Sequence, residues 1–339
     1  MSKPVVLVTE QEFVKAKDVF QQADDFDIRS APTEEISLAG EITKHKCRAV
    51  ILGVHKYTGS LYKALTQVNS AEPAIIARFG VGHDGIDKQR IKQNNILLTN
   101  TPGVLEQSVA EHALWLMGAL ARKIYSSCAN MLRGEFAPTM GSELYGKTLG
   151  IMGFGPIGRR TGQIASFGFE MNVLAVDIIA EDKLETHYGM DLAGMKQNFG
   201  ITAYTTDVNS VLQKADIISI HLPANEYTRH FVNADRLRLM KNNALLINTS
   251  RGVIVDENAL YDALKEKKIA GAGLDVFEKE PYQPVDPDKD LRTFDSVVLT
   301  PHIGSSTLES CRRMAQKCLQ NIRDFIAGDY EKLDQVNNL

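Results

Sequence analysis

The 339-residue sequence predicts an α/β fold in two domains, each built on a doubly wound parallel sheet. Three observations predict it. Short β-rich apolar runs alternate with longer helical stretches along the whole chain, the order that parallel sheets require. The runs are apolar almost residue by residue, as strands covered by helices on both faces are. The length also exceeds what one ordinary core organises.

The strand candidates fall in two series. The first is VVLVT (5–9), AVILG (49–53), AIIARF (74–79) and ILLTN (96–100). The second is TLGIMGF (148–154), NVLAVD (172–177), IISIHL (217–222), ALLINTS (244–250), GAGLDV (271–276) and VVLTPH (297–302). Between them, VAEHALWLMGALARKI (Val109 to Ile124) reads as a helix whose apolar residues are not confined to one stripe. It is expected to be covered on several sides, in part by a second subunit. After the last strand, Leu308, Cys311, Ala315, Cys318, Ile322 and Phe325 recur at three- and four-residue steps, one face of an amphipathic helix. The first series is short of helix, so this last helix is expected to pack back onto it. Pro281, Pro284 and Pro287 mark an irregular loop before the final strand.

Composition excludes several classes. Hydrophobic residues make up 44% and charged residues 24%, neither of them the extreme that marks disorder. A formal net charge of −4 offers no basic stripe for a nucleic acid. No apolar run is long enough to cross a bilayer, and MSKPVVLVTE leads straight into a strand, so no signal peptide is expected. The cysteines, Cys47, Cys128, Cys311 and Cys318, form no metal-type CxxC pair. Cys311 and Cys318 lie ~10 Å apart along a helix axis, beyond the ~7 Å reach of a disulfide. Four reduced, buried thiols in a cytoplasmic setting are the expectation.

The strongest local signal is Gly153-Phe154-Gly155-Pro156-Ile157-Gly158. It follows an apolar strand, opens a helix-like stretch (Arg159 to Phe167) and precedes a strand ending in Asp177. Gly153 permits the tight turn, Gly155 lets backbone approach a pyrophosphate, and Gly158 allows close packing of helix on strand. Pro156 suits the first helical turn, where its missing N–H costs little. The helix N-terminus offers N–H groups and a positive dipole end to phosphates. Asp177, nineteen residues beyond Gly158, suits the adenosine ribose hydroxyls. A 2′-phosphate there would be repelled, and Ile178-Ile179-Ala180-Glu181 supply no arginine to offset this. The cofactor expected is therefore NAD rather than NADP.

Three later strands each end in a polar group: Arg251 after ALLINTS, Asp275 after GAGL and His302 after VVLTP, with Glu280 just beyond Asp275. In an open parallel sheet, ligands bind beyond these ends. One such residue alone would usually be a cap or a surface charge; three in one domain suggest a site. Hydride transfer at the C2 of a hydroxy acid needs a group that takes and returns the hydroxyl proton, and a histidine suits that role. A neighbouring carboxylate favours the protonated ring and orients it. An arginine can hold the substrate carboxylate and polarise the C2 oxygen.

The strings GVGHDGID (80–87), SVAEHALWLMGALAR (108–122), GKTLGIMGFGPIG (146–158), HLP (221–223), INTSRGVIVDENAL (247–260), GLDVFEKEP (273–281) and TPHIGSST (300–307) resemble the D-isomer-specific 2-hydroxyacid dehydrogenase family, in order and over most of the chain. The resemblance implies a catalytic set of Arg251, Glu280 and His302, with His302 the general acid/base. It implies that backbone N–H groups at Val81 and Gly82 hold the substrate carboxylate, beside Arg251 and His302. Cofactor contacts would come from the glycine motif, Ser108, Pro156, Ile157, Asp177, His221, Thr249, Ser250, Arg251, Asp275 (near the nicotinamide amide), and His302, Ile303, Gly304 and Ser305. No metal is implied. It also implies a Rossmann NAD-binding domain (105–304) inserted into a smaller flavodoxin-like substrate domain (1–104 and 305–339), and a homodimer formed through the helix at 105–124.

One departure is visible. The stretch from Asp177 to His221 contains LAGMKQNFGITAYTT, longer than usual for the family, and reads as an enlarged surface loop. His83 and His112 read as structural. Lys56 and Tyr57 could equally line the substrate end or belong to a solvated loop. Alternative functions are a phosphoglycerate dehydrogenase-like enzyme, disfavoured by a chain that stops soon after the last helix, and an NAD(H)-sensing regulatory protein of the same fold. The formate branch of the family, which pairs its histidine with glutamine, fits Glu280 poorly.

Overall fold

The computed structural model describes residues 3–68 and 72–336. The outermost residues, on which the readings of the two chain ends partly rest, lie outside the described ones. Internal contacts divide the chain into two compact units, Met1–Leu105 with Ser305–Leu339, and Glu106–Gly304.

In the first unit, strands β1 (Val5–Thr9), β2 (Asp27–Ala31), β3 (Ala49–Leu52), β4 (Ala74–Arg78) and β5 (Ile96–Thr99) form a five-stranded sheet in the order β2-β1-β3-β4-β5. All neighbours are parallel, a flavodoxin-like winding. The central strands β3 and β4 are buried at every position, which is why they read as unbroken apolar runs. Each Val, Ile or Leu so buried favours folding by about 1.5–3 kcal/mol relative to exposure. Helix Leu308–Ala327 belongs to this unit, as its periodicity suggested: the Cys318 thiol reaches the Arg78 carbonyl at 3.7 Å, and Val336 N–H donates to Leu98 O at 3.0 Å. Thr307 caps it through the Ser310 N–H, and Gly328 ends it at a φ of 80°. Leu308 is the exception to its apolar face, standing exposed in the first turn.

The second unit carries β6 (Thr148–Met152), β7 (Asn172–Val176), β8 (Ile201–Thr205), β9 (Ile217–Ile220), β10 (Leu245–Asn248), β11 (Gly271–Leu274) and β12 (Val297–Leu299). They form one parallel sheet in the order β12-β11-β10-β9-β6-β7-β8. This is the Rossmann order with one strand added, and its chain direction reverses between β6 and β9. Helix Glu106–Ala121 is buried through Val109, Ala110, Ala113, Leu114, Leu116 and Met117. Its Trp115 is 72% exposed. The following helix, Ile124–Leu132, buries none of its residues.

Two strands, β2 and β8, were not legible in the sequence. Both are sheet edges, and each has two exposed positions, which interrupt an apolar run. The surface-loop reading of 178–220 is corrected accordingly. The segment folds as helices Leu184–Tyr188, Leu192–Phe199 and Val208–Lys214 with strand β8 among them. Leu184, Met195 and Tyr204 enter the core. The expectation of four buried thiols is corrected at Cys128, which is exposed on the unburied Ile124–Leu132 helix. No helix among the described residues is long and apolar enough to cross a membrane.

Candidate active site

The glycine motif turns directly from β6 into helix Pro156–Phe169. Gly153 has φ +94°, and a Cβ there would stand 2.7 Å from the His221 carbonyl, so only glycine lets the β6 and β9 loops meet at the reversal point. A Cβ at Gly158 would fall 2.1 Å from Gly153 O, which fixes glycine at that helical position. At Gly155 a Cβ would instead meet open space within 4 Å. No side chain caps this helix. An uncapped N-terminus facing an open glycine is the cradle a pyrophosphate requires.

Asp177 follows β7 and is half-buried. Its Oδ2 accepts the Phe154 N–H at 2.7 Å and its Oδ1 accepts the Ile179 N–H at 3.3 Å. The glycine turn and the acidic residue are thereby locked in one geometry. His221 N–H donates to Met152 O at 2.8 Å, and its Nε2 lies 2.9 Å from Ser219 Oγ. Burial pushes this imidazole down to about 3, so it is neutral.

The loop after β10 is organised by Asn248, which is fully buried. Its Oδ1 accepts Ser250 N–H at 3.0 Å and the Ser250 hydroxyl at 2.8 Å, while its Nδ2 donates to Arg251 O at 2.9 Å. Thr249 Oγ1 is buried with no hydrogen-bond partner among the described residues. A buried hydroxyl left open beside a nucleotide-type turn fits a bound dinucleotide. The Arg251 guanidinium donates to Ser250 O at 2.6 Å. Gly252 then abuts the loop after β11 so closely that a Cβ would lie 1.8 Å from the Phe277 carbonyl carbon.

His302 and Glu280 come together: Nδ1 lies 2.8 Å from Glu280 Oε2, with both side chains partly exposed. Glu280 Oε1 accepts the Phe277 N–H at 3.0 Å. His302 has φ +53°, a left-handed conformation uncommon outside glycine. Its N–H donates to Asp275 O at 2.9 Å. The Asp275 carboxylate supports this turn from beneath. It accepts Thr300 Oγ1–H at 2.6 Å and the N–H groups of Ile303 and Gly304 at 2.8 Å each, with His112 Nε2 at 3.3 Å. Burial works to raise this carboxyl, but the bonds from His112, Thr300 and Ile303 outweigh it and hold it below the usual range. His112 also sits 3.0 Å from Thr300 Oγ1, which makes it a brace, as read from sequence.

Behind Glu280 lies a group that the sequence did not flag. Glu257 is buried, its Oε1 accepts the Glu278 N–H at 2.6 Å, and its own N–H donates to Glu278 Oε1 at 3.2 Å. Burial, reinforced by the charges of Glu278 and Glu280, pushes it up to about 7. His230 Nε2 pairs with Glu278 Oε2 at 2.9 Å. The only sequence hint was the string VDENAL, which reads equally well as a helix start.

Among the remaining candidates, Ser108 is buried on helix Glu106–Ala121, and Pro156, Ile157, Ile303 and Ser305 flank the two turns. Val81 and Gly82 follow β4 in the first unit, where Asn100 Nδ2 donates to Val81 O at 2.9 Å. His83 lies in the same loop, its carbonyl accepting Ile86 N–H at 3.1 Å. Lys56 is exposed. Tyr57 answers to neither reading made of it: it is 2% exposed in the first unit's core, its hydroxyl 3.4 Å from Thr33 O.

Residues 114–304 match the family described as "D-isomer specific 2-hydroxyacid dehydrogenase, NAD binding domain". A glyoxylate reductase of Thermococcus litoralis is 36% identical over 96% of this chain and 95% of its own length. A D-3-phosphoglycerate dehydrogenase of Methanocaldococcus jannaschii is 33% identical over 96% of this chain but 58% of its own length. Among solved structures, D-lactate dehydrogenase from Aquifex aeolicus complexed with NAD and lactic acid aligns with a TM-score of 0.77 at 29% identity, covering 96% of each chain.

Proposed function

The chain belongs to the D-isomer-specific 2-hydroxyacid dehydrogenase family, and on that premise we propose that it reduces a small 2-oxo acid, of the glyoxylate, hydroxypyruvate or pyruvate kind, to the 2-hydroxy acid with NADH, giving the D-isomer wherever C2 becomes a stereocentre. The observation that carries the proposal is the His302–Glu280 contact of 2.8 Å beside a turn built on Asp275.

The cofactor is NAD. When bound, it supplies the hydride. The cradle of Gly153, Gly155 and Gly158 and the first turn of the helix at Pro156 and Ile157 would hold its phosphates, and Asp177 its adenosine ribose. His221, Thr249, Ser250 and the turn from His302 to Ser305 line the rest of its course, with Ser108 on the helix behind. His302 donates the proton to the C2 oxygen as the hydroxyl forms, and takes it back in oxidation. Glu280 orients the ring through Nδ1, leaving Nε2 for the substrate. Arg251 supplies a planar fork for the substrate carboxylate and C2 oxygen. The role of Val81 and Gly82 as carboxylate donors rests on the family pattern alone. Asp275 positions the His302 turn, and its cofactor contact would be made through that turn.

A homodimer is part of this reading. Ile124, Tyr125, Met131, Leu132, Phe136 and Met140 form an exposed apolar stretch on and after a helix that buries nothing, as a surface awaiting a partner would. A cytoplasmic setting agrees with four unpaired cysteines.

The test is steady-state NADH oxidation with glyoxylate, hydroxypyruvate, pyruvate and 3-phosphohydroxypyruvate, followed by chiral analysis of the products of the last three. Turnover of a small acid is expected, to the D-product wherever C2 becomes a stereocentre. NADH binding without turnover of any of the four would favour a sensing role and overturn the enzymatic reading.

A further inference from the structure

The reading of Asp177 as the ribose ligand leaves a cation unaccounted for. Residues 178–181 supply no arginine, but the helix beyond the glycine turn does. Arg159 sits in the first turn of helix Pro156–Phe169, immediately after Gly158. A guanidinium there is the group that a 2′-phosphate would recruit. The structure shows what occupies it. Its Cζ lies over the Tyr188 ring at 4.8 Å and over the Phe199 ring at 5.6 Å. Tyr188 also lies close enough to Asp177 to feel its charge. Burial and that charge push the phenol up to about 12, so the ring stays uncharged against the guanidinium.

The two rings are fixed from below. Phe199 stands edge-on to Phe154, the second residue of the glycine motif, at 5.9 Å. Tyr204, edge-on to the same Phe154 at 6.3 Å, donates its hydroxyl to Ile179 O at 2.6 Å and pins the backbone just past Asp177. Tyr188, Phe199 and Tyr204 all come from the segment that departs from the family pattern.

We propose that this segment is a cofactor-selectivity device, in which Tyr188 and Phe199 hold Arg159 stacked and away from an incoming 2′-phosphate. Rejection of NADPH then has two parts, repulsion by Asp177 and the withholding of Arg159. The stack works because cation–π contact and packing favour one guanidinium position. The inference rests on the ribose assignment of Asp177.

The experiment is direct titration of NADH and NADPH with the unliganded protein, followed by nicotinamide fluorescence, with no substrate present. The parent should bind NADH tighter than NADPH by about tenfold or more. Tyr188→Ala should lower that ratio about fivefold, through tighter NADPH binding. Tyr188→Phe keeps the ring and should leave NADPH affinity within about twofold of the parent. Adding Arg159→Ala to Tyr188→Ala should return NADPH affinity to the parent value. A ratio unmoved by Tyr188→Ala, or a gain that survives loss of Arg159, overturns the proposal. Should Tyr188→Ala fail to fold, Phe199→Leu is read in its place, with a change of about twofold as the threshold. Asp177→Ala separates the two levels. If it leaves the ratio unchanged, the ribose assignment itself falls. If it moves the ratio and Tyr188→Ala does not, only the selectivity device falls.

Discussion

Asp177 and Asp275 stand just past the carboxyl ends of β7 and β11, two strands of one sheet, yet their surroundings differ throughout. Asp275 is 1% exposed and receives four donors, two of them backbone N–H groups of the turn it supports. Asp177 is half-buried, receives two backbone N–H groups, and keeps an open face. The same residue type in equivalent places is therefore an internal anchor in one case and a half-buried acceptor in the other. What separates them is the number of donors each meets, which a strand-end position does not reveal.

The contrast extends to what each half of the sheet can lose. On the anchored side stands His302, the acid/base of the proposed reaction, and His302→Ala should lower kcat about 10²–10⁴-fold in both directions while leaving NADH affinity nearly unchanged. Single-turnover kinetics beside NADH titration measures both. Comparable losses in the two would dissolve the division between anchor and acceptor.

The anchor itself comes next. Asp275→Asn puts an amide where N–H groups of Ile303 and Gly304 converge, and should destabilise the protein by about 1–3 kcal/mol. Asp177→Ala should cost less stability and instead narrow the preference for NAD over NADP, by about tenfold. Denaturant unfolding and cofactor titration on both variants provide the cross-check, and equal destabilisation by the two would break the comparison.

Glu280→Gln probes the pair on the anchored side. Its carboxylate lies 2.8 Å from His302 Nδ1 and orients the ring. Removing the charge while keeping the shape should lower kcat/KM for 2-oxo acid reduction by about tenfold, with NADH affinity unchanged. Steady-state kinetics beside NADH titration decide this, and an unchanged kcat/KM removes Glu280 as the partner.

The smallest effect belongs to Glu257. A carboxyl raised from an ordinary 4.5 to about 7 by burial binds its proton more tightly in the folded chain. It therefore favours folding at low pH, and that advantage fades as pH rises from about 4.5 through 7. Glu257→Gln lacks this dependence. Its stability relative to the parent should improve by about 1 kcal/mol between pH 6 and 7, measurable by chemical denaturation at the two pH values. A constant difference would mean that Glu257 is already charged throughout.

Much of this was legible in the chain itself. The buried inner strands announced themselves as apolar runs, and the glycine turn, Asp177, Arg251, Glu280 and His302 stood out by type and place. Strands β2 and β8 did not, because exposed positions break their apolar runs and the pattern blurs into loop. Nor could spacing reveal Arg159 against Tyr188, since they are brought together by a helix and a segment twenty-nine positions apart, or Thr300 and His112 beneath Asp275, separated by 188 positions. Short-range order is written in periodicity. Contacts between distant side chains emerge only when the sheet is assembled.

Gly252 carries a consequence for anyone wishing to change what this protein accepts. Its backbone is seated against Phe277 and Glu278 with no room for even a methyl group. The loop bearing Arg251 and the loop bearing Glu280 therefore behave as one part, and neither can be redirected without displacing the other. A library that diversifies positions 251–253 or 277–280 separately would be filled with misassembled variants. Retuning the acid-binding end calls for transplanting both loops together, or for leaving them alone and varying the first unit.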